Sequence, residues 1–211
     1  MTRRNRIDPW GDLHAVSERG MFTGTRGCLV DDHGEVVRHH RGRLWIACEP
    51  EYRDWRAPLA RPGRWTPIFF LDDAVALAAG HRPCGLCRRD AYRSYREAVS
   101  RAVGPERPFG SQDLNRRLAS ERLRPGRGLE RASDRLLWTA EIDRLPVGSV
   151  IVDPDGPPQL LLADRLLTFG FAGWSRTLPR PSSGKVEVLT PPTSVAALSH
   201  GFTPILHPTA G

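Results

Sequence analysis

Ala78-Ala79-Gly80-His81-Arg82-Pro83-Cys84-Gly85-Leu86-Cys87-Arg88-Arg89 is the stretch whose reading decides the fold. Proline before the first cysteine and glycine between the two make a tight turn that aims both sulfurs at one point. Such a pair is half of a tetrahedral zinc site. The chain has only two other cysteines, so a four-thiolate site uses Cys28, Cys48, Cys84 and Cys87 and leaves none over. If Cys28 is not a ligand, His81, His39 or His40 is the next choice. Arg82, Arg88 and Arg89 flank the turn and favour thiolates by charge, and the helix expected to follow points its positive end the same way.

Upstream of this turn, Ile68 to Leu71 reads as a short strand. Asp72 is then a helix N-cap, Asp73 to Ala79 a helix, and Gly80 its stop. Downstream, a helix opens at Cys87 or Arg88. Ala91, Tyr92, Tyr95, Ala98, Val99 and Ala102 give it a one-sided apolar stripe, and Gly104-Pro105 ends it. Ser111 to Leu123 is expected to form a further helix capped by Ser111. Farther upstream, residues 1–27 read as an irregular lead-in. A β-hairpin is expected over residues 27–39 around Asp31-Asp32-His33-Gly34, and Arg43 to Cys48 as a strand. Glu49 to Pro67, with four prolines and two tryptophans, reads as an ordered loop.

Arg124-Pro125-Gly126-Arg127-Gly128 breaks the chain and changes its texture. Leu136–Ile142, Ser149–Val152, Gln159–Ala163 and Lys185–Leu189 read as strands, and Thr193–His200 as a helix. The expected class is α+β: a small zinc-stabilised module of strands and short helices, a helical segment, and a β-rich C-terminal unit. The expected division is 1–128 and 129–211, standing apart or packed as one domain.

The charge is local. Of 31 basic residues only Lys185 is a lysine, and the net charge is +7. Between Arg82 and Arg135 there are 14 Arg against 7 Asp and Glu, which accounts for the whole surplus. A basic stripe beside a zinc turn fits a phosphate-binding surface, with Arg82, Arg88, Arg89, Arg93 and Arg96 as phosphate contacts and Trp55 and Trp65 as stacking residues. A solvated arginine-rich helix face is the other reading. No apolar run approaches the ~20 residues that span a bilayer, and Met1 to Gly20 lacks the apolar core of a signal peptide. A cytoplasmic location without a membrane partner is expected, where cysteines serve as metal ligands or free thiols rather than disulfides.

Trp45-Ile46-Ala47-Cys48, Phe69-Phe70-Leu71-Asp72 and the Gly80-His81-Arg82-Pro83-Cys84-Gly85-Leu86-Cys87 turn together resemble the zinc-binding N-terminal domain of the Ada DNA-repair methyltransferases. The likeness covers residues ~34–89. It implies that Cys84 and Cys87 bind zinc and that Cys48 stands where the family accepts a methyl group from a DNA phosphotriester. Where the family has a second cysteine four positions after the first, this chain has Tyr52.

Three functions follow as expectations. The first is a zinc protein associated with nucleic acid, DNA ahead of RNA, in repair or regulation. The second is an enzyme, zinc-dependent or using Cys48 as nucleophile, acting on a nucleic-acid or small-molecule substrate. The third is a structural zinc module for protein interaction. Asp31, Asp32, His33, His39, His40, His200 and His207 supply acid–base groups, but no motif spacing unites them.

Overall fold

In a computed structural model, which describes residues 3–104, 109–153 and 156–211, the chain folds as α+β with two six-stranded sheets. The first is built from β1 (Arg6–Ile7), β2 (Leu13–His14), β3 (Phe22–Thr25), β4 (Ile46–Cys48), β5 (Ile68–Phe70) and β6 (Arg82–Pro83), in the order β2-β1-β5-β3-β4-β6. The second holds β7 (Trp138–Glu141), β8 (Val150–Val152), β9 (Gln159–Leu161), β10 (Arg165–Gly170), β11 (Gly173–Pro179) and β12 (Lys185–Val188), ordered β11-β10-β9-β8-β12-β7.

Residues 1–27 are not an irregular lead-in. They supply three strands, and β3 sits between β5 and β4 near the middle of the first sheet. Gly24 explains why this strand escapes a hydrophobic pattern. A Cβ there would come within 2.2 Å of the Ile46 carbonyl oxygen and 2.7 Å of the Phe70 ring, so the neighbouring strands require a bare backbone. The hairpin expected over 27–39 shrinks to one bridge, Val30 to Val36, because His39 leaves the ladder and enters the interior beside Arg26.

Helix α1 (Asp73–Ala78) follows β5, capped by the Asp72 carboxylate on the Val75 N–H at 3.0 Å. All six of its residues are buried, and its small side chains let it touch both β5 and β8. One apolar cluster runs through it and joins Phe22, Ile68 and Phe70 of the first sheet to Val150, Leu160, Leu167 and Trp174 of the second. Residues on either side of the 124–128 break therefore share a core. At ~25 cal/mol per Å² of apolar surface, each large side chain in it contributes about 1.5–3 kcal/mol.

Gly80 stops α1 as the sequence predicts, at φ +83°, and Arg122 packs where a side chain would stand. Helix α2 (Arg89–Val103) packs on α4 (Pro192–Ser199), with Tyr95 donating or accepting at Ser194 Oγ over 2.9 Å. Gly104 ends α2 in the left-handed region, while the expected Pro105 stop lies outside the described residues. Helix α3 (Ser111–Arg122) is capped one residue earlier than expected, where the Gly110 N–H donates to Asp113.

Candidate metal centre

Parallel pairing of β4 with β6 sets Ile46 against Arg82 and Ala47 against Pro83, and the Cys84 N–H donates to the Ala47 carbonyl at 2.8 Å. The register brings Cys48, at the end of one strand, beside the turn that follows the other. Cys87 then folds back over Glu49, whose N–H donates to its sulfur at 3.4 Å, and the Leu86 N–H donates to Cys84 Sγ at 3.4 Å. The sulfurs of Cys48, Cys84 and Cys87 all lie within 4.8 Å of one another. Thiolates on one zinc at about 2.3 Å stand roughly 3.8 Å apart, so a small inward movement closes the triad on a metal ion.

The three sulfurs lie close enough to bias one another's protonation. Contact with Cys48, then with Cys87, lowers the Cys84 thiol well below its ordinary range. The contact with Cys84, then that with Cys87, and burial push the Cys48 thiol well above its ordinary range. Backbone N–H donors at Cys84 and Cys87 are what a bound cation needs from such a turn, since they stabilise the sulfur charge.

Cys28 is not part of this group. Its thiol donates to the Val30 carbonyl at 3.6 Å, inside the turn that follows β3, so the expected four-thiolate set reduces to three. None of the alternative histidines replaces it among the described residues. His81 is fully buried, its Nε2 accepting from Arg26 Nε at 3.2 Å, and burial followed by the charges of Arg26 and Arg122 holds it neutral. His39 is buried between Arg26 and the Gly11 carbonyl, and His40 contacts Trp45. His33 sits in the exposed 31–34 turn, and the imidazole rings of His200 and His207 bond near neighbours, the Ala196 carbonyl and the Thr209 hydroxyl.

A cavity of about 460 Å³ opens onto all three cysteines. Leu44, Ile46, Tyr52, Trp55, Trp65 and Leu86 line it, with Thr23, Thr25, Arg41 and Glu49 as its polar groups. Trp55 and Trp65 stack at 5.9 Å between centroids, too close to admit a ring between them, so they form one wall. Trp55 is 52% exposed and Leu86 69%, so part of this apolar lining reaches the surface. Burial lifts the Glu49 carboxyl, offset in part by Arg88 at 3.4 Å. Sequence reading found the tryptophans but missed Leu44, Ile46, Glu49 and Leu86. The adjacency of Glu49 to Cys48 and of Leu86 to the cysteine pair was the available signal.

The arginines divide. Arg82 and Arg88, expected at a phosphate surface, are 4% and 5% exposed and belong to the interior. Arg82 donates to Asn115 and to the Pro83 carbonyl, and Arg88 forks onto Asp73 while stacking on the Phe22 ring at 3.8 Å. Arg82 is held by Asn115, 33 positions on, and Arg88 by Asp73, 15 positions back, partners that a local charge count does not register. Arg89 and Arg93 are exposed on α2, and Arg96 is half-buried with its Nε lacking a partner. No helix of the described residues is long and apolar enough to cross a membrane.

Comparison with protein-family models, curated proteins and solved structures finds no match to this chain.

Proposed function

We propose that the protein is a three-thiolate zinc enzyme acting on a small, largely apolar molecule. The reading is carried by one observation: Cys48, Cys84 and Cys87 share the floor of a cavity whose walls are aromatic and aliphatic. Structural zinc sites are closed by four protein ligands, whereas catalytic ones keep a position for water or substrate. Zinc held by three thiolates supplies a Lewis-acidic fourth position or a metal-bound thiolate nucleophile. Trp55, Trp65 and Leu86 shed water from the ligand and hold its apolar part. Thr23, Thr25, Arg41 and Glu49 orient its polar part. Cys48 is the candidate nucleophile, being the member of the triad that comes from a strand rather than from the tight turn.

The test is X-ray absorption on the metal-loaded protein with elemental analysis. One zinc per chain with three sulfurs and one light-atom ligand supports the reading. Four sulfurs per zinc, or no metal taken up, overturns it.

A second reading keeps the nucleic-acid partner, with Cys48 as alkyl acceptor in the Ada manner. It is favoured by the place of Cys48 in the triad and by the exposed Arg89 and Arg93 on the helix that starts two residues after Cys87. Salt-dependent DNA retention lost in Arg89→Ala/Arg93→Ala supports it, and no retention at low salt removes it.

A further inference from the structure

Trp45 lies between two guanidiniums. Arg26 is 4.3 Å from its ring centroid and Arg122 is 4.0 Å from it. Neither arginine makes an ion pair with a carboxylate among the described residues. Arg122 donates its two terminal nitrogens to the carbonyls of Gly80 and Arg43, at 3.1 and 2.9 Å, and its Nε has no hydrogen-bond partner among the described residues. Arg26 is wholly buried and its Nη2 has no partner. Burying guanidinium charge without a counter-charge costs several kcal/mol per ion. Carbonyl oxygens and the Trp45 face offset only part of that cost.

A cleft of about 240 Å³ opens beside Arg122. His40, Arg43 and Trp45 approach it from the lead-in to β4, and Arg122, Arg124 and Arg131 from the end of α3 and the loop beyond. Arg131 is already engaged: it pairs with Asp134 and donates to the carbonyls of Gly126 and Arg124. Arg43 and Arg124 are exposed, and their side chains make no hydrogen bond or ion pair among the described residues. Arg43, Arg122 and Arg124 therefore line one cleft that contains no carboxylate. The C-terminal carbonyls of α3 oppose an anion there, but Arg122 already stands among those groups as a full positive charge.

We infer that this cleft binds a phosphate group. A carboxylate is matched by one guanidinium fork, whereas a cleft lined by Arg43, Arg122 and Arg124 carries enough positive charge and donors for the several oxygens of a tetrahedral oxyanion. The volume corresponds to roughly eight water molecules, room for a phosphate and a short piece of its substituent, which favours a terminal phosphate on a small molecule. Burial, then the charges of Arg26, Arg131 and Arg122, lowers His40 to about 4, in keeping with a positive field at this cleft. The site is separate from the thiolate cavity, since the two share no lining residue.

The experiment is calorimetric titration of the full chain with inorganic phosphate, in wild type, Arg43→Ala/Arg124→Ala and the control Arg144→Ala/Arg176→Ala, whose residues lie outside the cleft. All four substituted residues are exposed, and equal unfolding temperatures in phosphate-free buffer confirm that each variant is folded. Binding in wild type and control, weakened about tenfold or more in Arg43→Ala/Arg124→Ala, is the expected result, since each lost charge-assisted bond is worth roughly tenfold. A single-stranded 12-mer without terminal phosphates separates the sources. If it competes with inorganic phosphate, and its binding also falls in Arg43→Ala/Arg124→Ala, the phosphate comes from a nucleic-acid backbone. Failure to compete supports a small phosphorylated ligand. No phosphate binding by wild type, or binding unchanged in Arg43→Ala/Arg124→Ala, overturns the inference.

Discussion

Arg88 and Asp73 form a two-point ion pair, Nη1 to Oδ1 at 2.6 Å and Nη2 to Oδ2 at 2.8 Å, with both residues buried. The residue after Cys87 is thereby fixed to the first turn of α1. Asp73 also receives the Ile205 N–H at 2.9 Å, so one carboxylate ties the cysteine turn to a segment near the other end of the chain.

Arg88→Ala leaves that carboxylate buried without its partner, and a loss of about 3–5 kcal/mol is expected. Arg88→Lys keeps the charge but not the fork, and recovers only part of the loss. Urea denaturation of the three proteins measures this. A loss below about 1 kcal/mol for Arg88→Ala would show the pair to be incidental.

The cysteines are not equivalent. Cys48→Ser, Cys84→Ser and Cys87→Ser are each expected to lose stoichiometric metal, while Cys28→Ser keeps it, because the Cys28 thiol bonds Val30 and stands outside the triad. Metal content after gel filtration against a chelator gives the answer, and loss in Cys28→Ser would contradict the three-thiolate set.

Acid sensitivity follows from the buried histidines. Burial, then the charges of Arg26 and His40, lowers His39 from 6.5 to about 2, and Asp12 at 3.8 Å does not outweigh them. The unfolded chain takes up a proton here below about pH 6.5, and the folded protein refuses it until about pH 2. The unfolded state binds more protons in that window. The contribution is therefore absent above it and becomes a penalty as pH falls. Between pH 7.5 and 5.5 wild type should lose about 1.4 kcal/mol more than His39→Gln. Equal losses in urea titrations at the two pH values would refute this.

Trp55 is a test of the cavity. Half-exposed and stacked on Trp65, it contributes about 1 kcal/mol or less to folding, so Trp55→Ala should remain folded. Binding of a naphthalene dye, read by its fluorescence, should weaken several-fold in the variant if this wall holds apolar ligands. An unchanged affinity would place dye binding elsewhere.

What was legible in the chain was local. Asp72 as cap, Gly80 as stop and the paired cysteines each work within a few residues, and each stands where the spacing puts it. What was not legible depended on distant neighbours. β3 reads as polar filler until Ile46 and Phe70 press on Gly24. The longest hairpin, β10 with β11, carries a register shift between Leu167 and Thr168 that breaks strand alternation. Arginine burial was the largest surprise: Arg135 donates to the carbonyls of Ala78 and Leu189, partners that no charge count can foresee.

The clasp at the start of α1 bears on how the chain is made. Asp72 accepts from Trp174 Nε1 at 2.6 Å and from the His207 N–H at 3.0 Å, both supplied by residues more than 100 positions later. A nascent chain that has emerged as far as Arg88 already holds every thiol of the triad and the Asp73 pair. Its second acidic group still waits for donors that the ribosome has yet to add. On the proposed zinc reading, ion capture precedes completion of the core, and the metal serves as an early staple, keeping the first sheet together while the second is still being synthesised.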